Sequence, residues 1–349
     1  MQGVLPHRAD DDRLGFFVSF VEEPKRALVP YIERLVQEIH QIQIHPIFQN
    51  LPMCSATPCT AVVVGTGTVG LQAVVFATRT LPPGSTILIV QRGLDCPEEL
   101  ERLLSRTIEG GDAYRFVASP PINIGQLDRL EAFLDGHADA CQSTRLFIHT
   151  ADKAQRYIPD DLPVMDVLAQ LVQRQSPTVI SDKLDRLSSA VSPIIKILIS
   201  SECAQNRSDY RIPNLGPYQI GKVIGDEVFR CHNADNERAL SIIAYSGPMS
   251  TLGQSAARQA EYALSEEARD SAKSAQEYIA QCKQNCDVDP MQSTGMMLRN
   301  IAVAIDSNRL SRSKVYSIYG PSVNPNLAKE VGILEEITAA PFLWPPMKQ

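Results

Sequence analysis

Tyr218 and Lys222 stand four residues apart in PNLGPYQIGKVIGDEVF. On a helix, residues at that spacing share one face. A phenol ionises near pH 10, and an ammonium beside it favours the phenolate and lowers that value. A tyrosine tuned in this way can give and take a proton near neutral pH. A second group of residues suits phosphate binding, since Gly65-Thr66-Gly67-Thr68-Val69-Gly70 spells GxGxxG. The first glycine permits a tight turn, the second lets backbone approach a pyrophosphate, and the third lets a helix pack closely on a strand. The helix that follows would offer free N–H groups and its positive dipole end to phosphate. S-adenosylmethionine is a rival occupant of such a turn, and a phosphate-free tight turn is the plain alternative.

These residues need a scaffold, and the flanking sequence supplies one. TAVVVGTGTVGLQAVVFATRTL reads as a strand, a glycine turn and an apolar helix, and GSTILIVQRG as a second buried strand. This is the β-α-β opening of a doubly wound parallel sheet. Further apolar runs at 114–119, 145–150, 194–201, 239–247 and 314–320 alternate with helical stretches such as GQLDRLEAFLDG and VMDVLAQLVQRQ. The expected fold is α/β, a Rossmann-type doubly wound parallel sheet of about seven strands. The second strand ends Val90-Gln91-Arg92-Gly93, with no acid before Asp95. An acid there would bind a ribose 2′-hydroxyl, whereas an arginine accommodates a 2′-phosphate. Arg92 therefore favours NADP(H) over NAD(H), unless it is an ordinary solvated residue. The missing acid also counts against S-adenosylmethionine.

Composition narrows the class. Of 349 residues, 44% are hydrophobic, and 33 basic against 40 acidic residues leave a net charge of −7. That balance disfavours a nucleic-acid binder held by a basic surface. No apolar run approaches the ~20 residues a membrane span needs. The first residues, MQGVLPHRADDDRLGFF, do not read as a secretory signal. Eight cysteines dispersed through a long chain suit free thiols in a reducing compartment. A cytoplasmic enzyme or binding protein, with a small molecule as its substrate or ligand, is the default reading. Neither Cys54/Cys59 nor Cys282/Cys286 has the neighbours a metal site requires, so none is expected.

Residues 1–59 read as a helical extension and linker, with Leu28, Ile32, Leu35, Ile39 and Ile42 at helical spacing. Such a helix would pack on the main domain or on a partner subunit. Residues 252–285 form a long Ala/Glu/Gln-rich helical insertion. His149 ends a strand beside the expected cleft, where a sandwiched, hydrogen-bonded role is the commoner one. Asp226 and Glu227, just after Lys222, read as solvated helix residues.

Taken in order, the motifs over 60–321 resemble the short-chain dehydrogenase/reductase family. AVVVGTGTVGLQ is similar to its first strand and phosphate turn, LFIHTAD to its fourth strand, and IIKILISSE to its serine-ended fifth. YQIGK resembles its Tyr-x-x-x-Lys. Tyr245-Ser246-Gly247-Pro248-Met249-Ser250-Thr251 resembles its Pro-Gly-Pro-x-x-Thr loop, and STGMMLRNIAVAIDSNRLSRSKVYSIYG its last helix and strand. The resemblance implies that Tyr218 is the general acid/base and that Lys222 lowers its pKa and binds the nicotinamide ribose. It implies that Ser201, with Ser200 as second choice, holds the substrate oxygen. Thr150 and Ala151 would flank the cofactor, and Gly247, Met249 and Thr251 would meet its carboxamide end.

The chain also departs from the family pattern. Its glycine turn is the plainer GxGxxG, His149-Thr150-Ala151-Asp152 stands in place of Asn-Asn-Ala-Gly, and VISDKLDRLSSAV offers Ser181 and Asp182 where the family has a catalytic Asn. The resemblance divides the chain into an extension (1–59), a Rossmann-type domain (60–321, with 252–285 as substrate lid) and a tail (322–349). It implies an NADP(H)-dependent oxidoreductase that reduces a ketone or oxidises a secondary alcohol of a medium-sized organic substrate in specialised metabolism. A homodimer or homotetramer is usual for the family. Two alternatives stay open: a non-redox cyclase, isomerase or dehydratase, and a catalytically silent dinucleotide-binding regulatory protein.

Overall fold

Strands buried on both faces read as continuous apolar runs, and the centre of this molecule is built from such runs. The computed structural model describes residues 28–151, 163–189, 192–201, 204, 216–246, 291–320 and 334–337. Within them β1 (Thr60–Val64), β2 (Thr86–Val90), β3 (Arg115–Ala118), β4 (Thr144–His149), β5 (Ile194–Ser201), β6 (Ala239–Ser246) and β7 (Val315–Tyr319) lie parallel. An eighth strand, β8 (Leu334–Glu336), runs antiparallel on β7. The spatial order is β3-β2-β1-β4-β5-β6-β7-β8. The sheet is thus Rossmann-like, with one strand more than the apolar runs announce. β8 has three residues, two of them exposed acids, so it carries no apolar alternation to read.

Helices cover both faces. On one lie α1 (Leu28–Ile44), α2 (Thr68–Thr80), α3 (Pro97–Thr107) and α8 (Met296–Asp306). On the other lie α4 (Leu127–Asp135), the short α5 (Ala138–Cys141), α6 (Pro163–Leu187) and α7 (Gly216–Asn233). The order in which β2 and β4 flank β1 makes the carboxyl ends of β1 and β4 the topological switch point, where open α/β sheets bind ligands.

Helix α1 packs on this chain's own helices. Leu35, Ile39 and Ile42 are buried against the first face, as its helical spacing predicts. Polar bonds fix it further: Gln43 Nε2 donates to the Thr107 carbonyl at 3.1 Å, and its Oε1 accepts from Glu109 N at 2.9 Å. Phe48 is buried after it, and Arg299 of α8 donates to the carbonyls of Ile47 and Gln49 at 3.0 Å each.

The second face carries a buried lysine. Lys196, in the middle of β5, donates to Ser181 Oγ at 2.8 Å, Asp185 Oδ2 at 2.6 Å and Asn233 Oδ1 at 3.0 Å. All three ammonium protons are thereby matched, tying β5 to α6 and α7. Ser181 serves this strut, and Asp182 pairs with Arg186 at 2.7 Å. Neither stands in for a catalytic Asn. Among the described residues no helix is long and apolar enough to cross a membrane, and no three His, Cys, Asp or Glu converge as metal ligands. The insertion at 252–285 lies outside the described residues, as do Cys282 and Cys286.

Candidate active site

The turn after β1 is shaped by steric need. Gly65 has φ of +106°, a region that disfavours side chains, and its N–H donates to the Val90 carbonyl at 2.8 Å. A Cβ on Gly65 would lie 2.6 Å from Thr150 Oγ1, and one on Gly70 would lie 2.2 Å from the Gly65 carbonyl oxygen. These two glycines let α2 and β4 close on the turn. Gly67 is different: a Cβ there would meet nothing within 4 Å. It is also the N-cap of α2 and brings no side chain to the free N–H groups of the first turn. Thr66 and Val69 complete the turn, and Thr68 Oγ1 reaches Glu38 Oε1 of α1 at 3.4 Å. An open cradle of backbone N–H groups at a positive helix end fits a pyrophosphate.

The loops beside the turn are held from below. Thr150 donates to the Val64 carbonyl through both N (2.9 Å) and Oγ1 (2.7 Å), which places Ala151 against Gly65. After β2, Gln91 is buried; its Nε2 donates to the carbonyls of Leu94 (2.6 Å) and Ser119 (2.9 Å), and its Oε1 accepts from Leu94 N (2.8 Å). Gln91 and Ser119, to which the sequence assigns no such role, are therefore the struts of the loop that exposes Arg92.

Lys222 lies in α7, 3% exposed. It lines a crevice of about 10 Å³ with His149, Ala151, Pro177, Gly225 and Asp226, close to the room one water needs. His149 is buried and hydrogen-bonded through Nε2 to Ser176 Oγ at 3.0 Å, so it is a sandwiched wall residue. Tyr218 is one turn ahead of Lys222 in the same helix. Its side chain lies outside the described residues, as do Gly247, Met249 and Thr251.

At the end of β5 the two serines differ. Ser200 is buried and donates to Asp226 Oδ2 at 2.6 Å. Ser201 is half-buried, ends the strand and pairs in register with Ser246. Asp226 is 6% exposed, which corrects its reading as a solvated helix residue. Its helix face is sealed by β5, which the amino-acid pattern of α7 alone does not reveal. Tyr245 of β6 stacks on Tyr319 at 5.4 Å between ring centroids. Burial, and then the negative charge of Asp226, push its phenol well above 10. Tyr245 is thus a protonated packing residue, of the opposite kind to a tuned acid/base.

This architecture, with its switch-point turn and a helix after β5 carrying Tyr-x-x-x-Lys, can be set beside known structures. The chain has the short-chain dehydrogenase/reductase fold. It superposes on L-sorbose reductase from Gluconobacter frateurii, solved with NADPH and L-sorbose, with a TM-score of 0.53 and 12% identity over 79% of this chain and 99% of that one. MalC reductase/Diels-Alderase from Malbranchea aurantiaca gives 0.52 and 13% over 75% of this chain and 95% of that one. A short-chain dehydrogenase/reductase from Saccharomyces cerevisiae gives 0.50 and 12% over 77% and 98%. No protein-family model and no curated protein sequence matches the chain.

Proposed function

We propose that this protein is an NADP(H)-dependent oxidoreductase that reduces a ketone or oxidises a secondary alcohol of a medium-sized organic substrate. The observation that carries the reading is the buried Lys222, one helical turn after Tyr218, at the end of the sheet where the Gly67 cradle opens. The residues present fit the cofactor: the α2 N-terminus would take the pyrophosphate, exposed Arg92 a 2′-phosphate, and Gly247, Met249 and Thr251 the carboxamide end. The 12%-identical L-sorbose reductase, solved with NADPH, supports the choice of cofactor.

When bound, NADP(H) supplies or accepts the hydride, the step no side chain can perform. This chain's part is the proton. Tyr218 donates it to the substrate oxygen as that oxygen gains negative charge, and takes it back in the reverse direction. Lys222 keeps the phenol acidic enough to do so. Ser201 holds the oxygen in line, and the 252–285 segment covers the substrate. The expected setting is a cytoplasmic homodimer or homotetramer working in specialised metabolism.

NADPH should bind with a blue shift of its fluorescence, and Tyr218→Phe should abolish turnover while leaving that binding intact. Failure to bind NADPH or NADH overturns the redox reading. A second reading has one observation in its favour: the chain shares its fold with a reductase/Diels-Alderase. On that reading Tyr218 and Lys222 serve a non-redox cyclisation, isomerisation or dehydration. Turnover without loss of the reduced nicotinamide absorbance would establish it.

A further inference from the structure

The departure of Asp226 from its expected exposure points beyond this reading. It follows Lys222 by one turn of α7, so the two Cβ atoms are neighbours on one helix face. Both are almost sealed from water, and both line the crevice that His149 closes. A buried carboxylate is costly unless charge and hydrogen bonds compensate it. Here Ser200 gives it a short bond of 2.6 Å, in the range of donors to an ionised oxygen. Among the described residues, Lys222 on α7, His149 on β4 and Pro177 on α6 line the same crevice, Ser200 on β5 bonds it, and Tyr245 on β6 feels its charge. Glu227 and Arg230 on α7 and Tyr319 on β7 act on that same Tyr245. Glu227 and Arg230 are bonded to each other and largely cancel at a distance.

We propose that Asp226 is a positioning residue that opposes the Lys222 ammonium and thereby sets the pH at which Tyr218 exchanges its proton. The inference rests on the acid–base reading of Tyr218. Lys222 alone would pull the Tyr218 phenol down; Asp226 follows Tyr218 by two turns of α7, about 12 Å along the helix axis, and its carboxylate restores part of the fall. The same carboxylate already raises Tyr245 from the neighbouring strand. At that distance, with the effective dielectric of a protein interior, one charge is worth on the order of one pH unit.

Asp226→Asn and Ser200→Ala separate charge from bonding. Asp226→Asn keeps an oxygen for Ser200 and loses the charge, whereas Ser200→Ala keeps the charge and loses the bond. The full-length protein is titrated by ultraviolet difference absorbance of tyrosinate, and subtraction of Tyr218→Phe isolates the step due to Tyr218. Asp226→Asn should lower that step by about one pH unit, with NADPH affinity unchanged, and Ser200→Ala should leave it in place. An unmoved step in Asp226→Asn, or an equal shift in Ser200→Ala, overturns the proposal. Asp226→Ser reads the same step if Asp226→Asn does not fold; if neither neutral variant folds, the carboxylate is structural and the proposal fails. Absence of any isolated Tyr218 step in the wild type, together with no NADPH binding, would instead defeat the acid–base reading beneath it.

Discussion

Two lysines are buried on the same side of this sheet, Lys196 at 0% and Lys222 at 3% exposure, and their surroundings differ in kind. Lys196 sits in mid-strand with Ser181, Asp185 and Asn233 on its three protons. Burial lowers its affinity for a proton, and Asp185 pulls it back. Lys222 sits one layer nearer the carboxyl ends of the strands and fronts a crevice with space for a small molecule the size of water. A buried charge closed on every side holds elements together. One that lines a crevice can act on what fits there, which is the part proposed for Lys222. Burial alone therefore does not tell the two kinds of surroundings apart.

The largest contrast to test is in the pair itself. Lys222→Met should cut the kcat/KM of the folded protein by about 10²–10⁴-fold, the usual contribution of assisted proton transfer, beside any stability lost by uncovering Asp226. Lys196→Met should act on stability alone, costing roughly 3–5 kcal/mol by stranding Asp185, with the activity of the folded fraction retained. Adding Asp185→Leu should recover much of that stability. If Lys196→Met lost activity without losing stability, the division between the two lysines would be broken.

The glycine turn offers a smaller version of the same contrast. Gly70→Ala must displace the Gly65 carbonyl, 2.2 Å from the new methyl, and should destabilise by about 1–3 kcal/mol, as overpacking does. Gly67→Ala meets no atom, so melting should hardly change while the NADPH dissociation constant rises. Fluorescence titration and thermal melting together read both.

A weaker effect should come from His232, 3.8 Å from Asp185 at the Lys196 strut. Burial first, and the Lys196 charge second, hold its pKa below 6.5. The unfolded chain therefore takes up that proton at higher pH than the folded one. Stability is penalised in full below the folded value and recovers as pH rises toward 6.5. His232→Gln should flatten the pH dependence of melting in that window. The smallest signal is chemical: burial holds the Cys54 and Cys141 thiols at about 11. Both should stay unmodified by iodoacetamide at mildly alkaline pH while exposed Cys96 reacts.

Much of the scaffold can be read from the chain because it depends on neighbours in sequence. IIKILISS is a strand from Ile194 to Ser201 despite a lysine in its middle, since its apolar and β-branched neighbours outweigh one charge that finds partners. The glycine turn is legible because steric rules fix it residue by residue. β8 is not, because its pairing comes from β7 and, of its three residues, Glu335 and Glu336 face water while Leu334 alone packs on the core. The burial of Asp226 is hidden for the same reason. An acid after a lysine on a helix is ordinary, and what buries it is Ser200, 26 residues earlier on another element. Ser181 likewise lies where a catalytic side chain could be expected, yet it bonds toward Lys196 and Asn233. Side-chain direction across two helices is a property of packing, and the linear pattern does not encode it locally.

The bonds from Arg299 to Ile47 and Gln49 join residues 252 and 250 positions apart. Helix α1 leaves the ribosome early, but the helix that fastens it is among the last described elements to be made. Until then Ile47 and Phe48 lack their cover of Gly295 and α8. Such closure over most of the chain is slow to search and leaves apolar surface open during synthesis. The wait of α1 and the residues after it for their distant partner is thus a stage of synthesis open to aggregation.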